Sequence, residues 1–294
     1  MHSIVRVLAG CLLAFGLVQH AGAQTNWPEK PVKLVVGFTA GSATDVTARL
    51  FAQKFTEAWG QPVVVENIAG NSGAIGVDRV AKAVPDGYTL MWSGNAAITI
   101  LPSMQALPFD PLKDLTPIST SLVMPSVFVV NNDLPVKSIA ELIAYAKANP
   151  GKLSYGTPGV GTPQMSGVVP VGIQNAGAAM QLVRDGRVRG IAVTSLKRTA
   201  SAPDLPTLAE QGFPGFEATS WFALMGPAGL PKPIVDKVRA ESLKALADPE
   251  LKKKIAAMGL DLVGSTPEET RAAIAADIPK WAKVIKDAGI KPGQ

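Results

Sequence analysis

The chain has 294 residues, 47% of them hydrophobic and 17% charged, with a formal net charge of +5. This composition is far from that of disordered chains and supplies apolar surface for one large core or two modest ones. The small basic excess is spread along the sequence, with Lys252-Lys253-Lys254 the longest run; it excludes a nucleic-acid face and supports only mild steering of anions.

The N-terminus reads as an export signal. Arg6 supplies the positive end, residues 7–18 form the apolar run, and Ala21-Gly22-Ala23 gives small residues before Gln24. A secretory signal peptide over 1–23, cleaved after Ala23, is expected. The run is too short for a membrane span, and no later stretch reaches the roughly 20 apolar residues a spanning helix needs. Leu8-Ala9-Gly10-Cys11 has the look of a lipoprotein box, but cleavage there would leave almost no apolar segment upstream. Cys11, His2 and His20 are the chain's cysteine and histidines, so the processed protein has neither residue type. Without them there is no thiol nucleophile, histidine base, Ser-His-Asp triad, disulfide or usual zinc or copper ligand set. Asp45 and Glu66 offer no clear acid pair. No catalytic residue, metal or cofactor is expected.

Residues 32–37 read as a strand, 39–42 as a turn, and the apolar spacing through Val46, Leu50 and Phe55 as a helix ending near Gly60, with Thr44 or Asp45 as its N-cap. A second strand over 62–66, a flexible 70–73 loop, a helix over 75–83 and a strand over 88–93 follow. Strands alternating with helices at this spacing imply βαβ units and a parallel sheet. The proline-punctuated 108–117 stretch reads as irregular. A second α/β lobe then begins with a strand at 127–130 and a helix at 138–148, continues with a strand at 153–156 and a glycine-rich loop at 157–162, and includes a strand at 191–194. Residues 221–225 read as a crossing back, and helices over 233–247, 249–258 and 267–288 are expected to pack on the first lobe. Lobe one is thus placed at 24–125 and 219–294, and lobe two at 126–218. Two crossings make a hinge, and clefts beside hinges hold ligands.

Two loops carry the functional signal, 38–45 and 157–164. Each follows a strand and is rich in Gly, Ser and Thr, and backbone N–H groups at a helix N-terminus bind anions without a charged side chain. Facing each other across a cleft, they could clasp a carboxylate. Asp45 would repel such an anion, so capping its helix suits it better. Gly70 to Gly76 departs from the dinucleotide spacing and reads as a turn.

These segments resemble the Bug family, the tripartite tricarboxylate transporter substrate-binding proteins. The likeness is carried by Val35-Val36-Gly37-Phe38-Thr39-Ala40-Gly41-Ser42-Ala43-Thr44-Asp45, Val63-Val64-Val65-Glu66-Asn67, Asp86-Gly87-Tyr88-Thr89-Leu90, Ser154-Tyr155-Gly156 and Ile191-Ala192-Val193-Thr194-Ser195. The resemblance implies a two-lobed type II periplasmic binding fold, with mostly parallel sheets flanked by helices. It implies a monomer in the periplasm that closes on a di- or tricarboxylate or related small acid and hands it to membrane permease subunits. The same fold reporting to a membrane sensor kinase is the alternative. By position, Phe38, Ala40, Ser42 and Asp45 face the ligand from lobe one, and Gly159, Gly161, Thr162 and Gln164 from lobe two. One departure stands out: after Gln164 the family's long helix, strand and further helix are missing, with only Met165 to Ala179 before Leu182-Val183-Arg184. A shortened lobe two implies exposed apolar surface and impaired closure, in the extreme a receptor that binds nothing.

Overall fold

A computed structural model describes residues 26–156 and 170–290. The signal peptide expected over 1–23 and the candidate residues Gly159, Gly161, Thr162 and Gln164 lie outside the described residues. The chain forms two mixed sheets, each flanked by helices.

Lobe one is built on a six-stranded sheet of order β10-β4-β9-β3-β1-β2. Its strands are β1 (Val32–Val36), β2 (Val63–Asn67), β3 (Thr89–Gly94), β4 (Leu115–Met124), β9 (Ser220–Pro227) and β10 (Asp261–Leu262). β1 lies parallel to β2 and β3, while β9 runs antiparallel to β3 and β4. The valine run of β1 is buried on both faces, as expected of a parallel strand covered by helices on each side. Helices α1 (Ala43–Trp59), α5 (Lys232–Ala247) and α6 (Pro249–Ala257) cover one face around Phe51, Phe55, Trp92 and Ile255. Helices α2 (Ala74–Ala81) and α7 (Pro267–Asp287) cover the other around Val77, Met91, Trp221 and Ile274. The three C-terminal helices therefore pack on lobe one, as the sequence indicates.

Lobe two is a four-stranded sheet of order β6-β7-β5-β8, with β5 (Ser126–Val130), β6 (Tyr155–Gly156), β7 (Val171–Asn175) and β8 (Arg189–Val193) flanked by α3 (Ile139–Ala148) and α4 (Ala176–Arg184). β6 pairs parallel with β7, and β5 runs antiparallel to both β7 and β8. This repeats the β1-β3-β9-β4 part of lobe one, strand for strand and in the same directions. Among the described residues lobe two has no outer strand equivalent to β2. Residues 37–88 separate β1 from β3, whereas only 157–170 separate β6 from β7.

Three expectations are corrected. The 108–117 stretch runs into β4, which carries Pro117 next to a register shift between Pro117 and Ser119. Proline is tolerated where ladder pairing is already broken. β7 and α4 occupy a region that the sequence leaves without elements, because Gly172 and Gly177 interrupt the apolar pattern. The N-cap of α1 is Ser42, whose side chain accepts a hydrogen bond from the Asp45 amide, in place of Thr44 or Asp45.

Candidate functional site

β1 ends at Val36, and the chain then passes against the 70–76 turn at backbone distance. A Cβ at Gly37 would lie 2.7 Å from the Gly73 carbonyl oxygen, and one at Gly76 only 2.8 Å from the Gly37 Cα. Glycine on both sides is what allows the two segments to touch. Asn71 and Ser72 hold left-handed backbone at φ 47° and 51°, a conformation that side-chain-bearing residues adopt at a cost and that gathers at functional sites. The Phe38 ring sits against Gly73 and near Ala97, in the helical turn that follows β3. The sequence assigned the 70–73 turn no role in the site; its glycine spacing was the available signal.

Of the residues named on this loop, Ala40 is exposed while Phe38 and Ser42 are half-buried. Ser42 caps α1 by accepting from the Asp45 amide, and the Ala43 and Thr44 amides ahead of it, which have no helical acceptor, lie beside the loop. Asp45 is different. It is 2% exposed, and its carboxylate accepts hydrogen bonds from the Gly41 amide at 2.9 Å, Arg49 Nε at 3.1 Å and Asn67 Nδ2 at 2.9 Å. Arg49 Nη2 lies 3.0 Å from the other carboxylate oxygen. Burial pushes the Asp45 pKa up, but the Arg49, Gly41 and Asn67 bonds outweigh it and hold the group below the ordinary carboxylate range. Asp45 is therefore an ionised strut under the loop, with its oxygens already taken.

The crossings between lobes are single-residue links. Ala218 still donates its amide to the Thr194 carbonyl of lobe two, and Ser220 already pairs with Met124 in lobe one. The Asn95 side chain, at the end of β3, donates to the Thr219 carbonyl between them at 3.3 Å. Pro125 is the other link: β4 ends at Met124 and β5 starts at Ser126, whose amide donates to Thr194 Oγ1. Alongside the hinge, α4 meets the turn after α6 backbone to backbone: a Cβ at Gly177 would lie 2.4 Å from the Met258 carbonyl oxygen. Thr199 Oγ1 also donates to Asp261 across the lobes at 2.9 Å.

On lobe two, Gln174 stands near the end of β7, opposite Val127. It is 4% exposed, and its Nε2 has no hydrogen-bond partner. A buried amide donor without an acceptor is costly, which makes Gln174 a candidate that the sequence gave no reason to single out. A cavity of about 480 Å³ flanks the hinge under α7, lined by Glu217, Trp221, Glu269, Asp277, Lys280 and Trp281 among others. It includes none of the 38–45 residues, and three carboxylates against one lysine give it the wrong sign for an acid ligand. Among the described residues no group of His, Cys, Asp and Glu could hold a metal ion.

The family model described as tripartite tricarboxylate transporter family receptor matches residues 47–168 and again 164–290. The chain belongs to this receptor family. It is 32% identical to Protein BugT of Bordetella pertussis, over 99% of each chain. Among solved structures it is similar to Rpa4515 of Rhodopseudomonas palustris with adipate, at 32% identity and a TM-score of 0.75, covering 90% of this chain and 99% of that one. MatC of Rhodopseudomonas palustris with bound malate matches at 26% identity and a TM-score of 0.72, over 88% of this chain and all of the other. A tripartite tricarboxylate transporter receptor is a solute-binding protein of the periplasmic type. No helix among the described residues is long and apolar enough to cross a membrane. The alignment to BugT spans 326 positions, 32 more than this receptor has residues, and the family model matches in two stretches that overlap at 164–168. The overlap of the two stretches falls between β6 and β7.

Proposed function

We propose that the protein captures a small dicarboxylate, or a related carboxylated solute, between its lobes and presents it to the permease of a tripartite tricarboxylate transporter. The observation that carries this reading is the 38–45 loop. It combines a capped helix N-terminus, an exposed loop backbone, a serine hydroxyl and no unpaired side-chain charge. Such a surface offers a carboxylate directed N–H donors and no competing anion. Phe38, Ala40 and Ser42 would face the acid directly, with Asp45 supporting them from beneath; Gly159, Gly161, Thr162 and Gln164 would approach from lobe two. Adipate and malate, the acids held by two relatives, set the size range.

The shortened lobe two favours a second reading, a receptor that keeps the fold but has lost closure. Titration calorimetry of the processed chain with adipate, malate and tricarboxylates separates the two. Binding of one acid at micromolar strength or better supports capture. Heats equal to dilution for the whole panel contradict it and favour the second reading.

A further inference from the structure

We infer that Arg49, braced by Asn67, is the positioning residue that makes the first loop hospitable to an anion, by neutralising the buried Asp45 carboxylate beneath it. The inference rests on the carboxylate-capture reading above and deepens it. A carboxylate at the base of an anion site poses a problem: Asp45 gives the loop an acceptor for the Gly41 amide at 2.9 Å, yet an unpaired buried charge there would repel the ligand through a poorly screened medium. Arg49, one helical turn on, answers it. Its side chain is 53% exposed while that of Asp45 is 3% exposed, so the guanidinium places its charge between the buried anion and water.

The same guanidinium orients the third member. Arg49 Nη2 donates to Asn67 Oδ1 at 3.1 Å, which commits the other end of the amide to be the donor. Asn67 Nδ2 then donates to Asp45 Oδ1 at 2.9 Å and to the Phe38 carbonyl at 3.0 Å. The Phe38 carbonyl, whose dipole would also repel an anion, is thereby taken into a hydrogen bond. One arginine thus cancels the one buried charge and fixes the amide that ties the end of β2 to the loop. Nearby Glu66 does not disturb the balance, because it pairs with Lys33 at 3.4 Å. Lysine could supply the charge but not the planar fork that reaches Asp45 and Asn67 together.

The test is titration of adipate and its monomethyl ester into the wild type, Arg49→Gln, Asp45→Asn and the double variant, with a melting curve for each. Arg49→Gln is expected to weaken adipate about 10-fold or more and the monoanionic ester less, because uncompensated charge acts in proportion to ligand charge. The double variant, which removes the charge with its partner, is expected to bind within about 3-fold of Asp45→Asn. A merely structural arginine would weaken both ligands alike and would not be rescued. If Arg49→Gln does not fold, the double variant alone decides: binding close to Asp45→Asn supports the inference, and a folded double variant that binds far more weakly overturns it. Wild type that binds while Arg49→Gln binds equally well overturns this inference alone. Wild type that binds no acid removes the capture reading, and this inference with it.

Discussion

The two lobes share a strand plan but not a means of support. In lobe one, α1, β2 and α2 lie between β1 and β3, and the buried clusters they complete contain Trp27, Phe51, Phe55, Trp92, Phe109, Trp221 and Phe222. In lobe two the corresponding insertion is reduced to residues 157–170, and among the described residues the two buried clusters hold only aliphatic side chains, with Phe128 and Tyr145 partly buried at their edge. Aromatic side chains contribute the largest buried areas, so lobe two starts with much less hydrophobic stabilisation. Its surface shows the consequence: α3 fully buries only Ile139, and Ile143 and Tyr155 are exposed. The sheet plan is kept with a shorter insertion; the covering of its faces is not. The comparison therefore separates what specifies a topology, the central strands, from what stabilises it, the crossover helices.

Core truncations sharpen that contrast most. Phe51 is fully buried with its ring centroid 4.5 Å from that of Trp92, and Phe51→Ala is expected to cost about 3–5 kcal/mol. If the lobes melt separately, calorimetry should show the later transition moving and the earlier one staying. Ile191→Ala in lobe two, at about 2–5 kcal/mol, should abolish the earlier transition altogether, because there is less stability to lose. Equal shifts of one shared transition in both variants would break the comparison.

The hinge contact comes next. Gly259 has φ +73°, and a Cβ there would lie 2.0 Å from the Gly177 amide nitrogen. Gly259→Ala should cost about 1–3 kcal/mol from backbone strain and overpacking and should displace lobe two from α6, read as a larger radius of gyration in small-angle scattering. Gln174→Leu should be smaller and of opposite sign. Removing an unpartnered buried amide should stabilise lobe two by about 1 kcal/mol; if the group serves the ligand, acid affinity falls at the same time. The smallest effect concerns pH. Because the Asp45 pKa is lowered in the folded state, its contribution is fully present above the unfolded carboxylate value and is lost as pH falls through the lower folded value. The difference in denaturation midpoint between wild type and Asp45→Asn should hold at neutral pH and shrink only below about pH 4.

Lobe one was largely legible in the sequence because its signals are local. Alternating strand and helix periods are closed by Gly60, which ends α1 in left-handed backbone, and by the 85–87 turn. β4 was hidden by its own composition: Pro117 and a run of Ser and Thr look irregular until a register shift accommodates them. The Ser42 cap could have been read, since Ser followed three residues later by Asp is a capping pattern, and Arg49 could have been paired with Asp45 from their four-residue spacing. Asn67 could not, because 22 residues separate it from Asp45 and only the pairing of Val36 with Asn67 across β1 and β2 brings them together. Gln174 was equally invisible: its interest lies in a missing partner, which only packing reveals.

The most direct test of carboxylate capture between unequal lobes is differential scanning calorimetry of the processed protein with and without adipate. Without the acid, lobe two should melt first; with adipate at about 100 times its dissociation constant, a ligand bridging both lobes should stabilise the pair by roughly 2.7 kcal/mol and draw the two transitions together. Transitions that stay where they were, or a shift confined to lobe one, would contradict capture between the lobes.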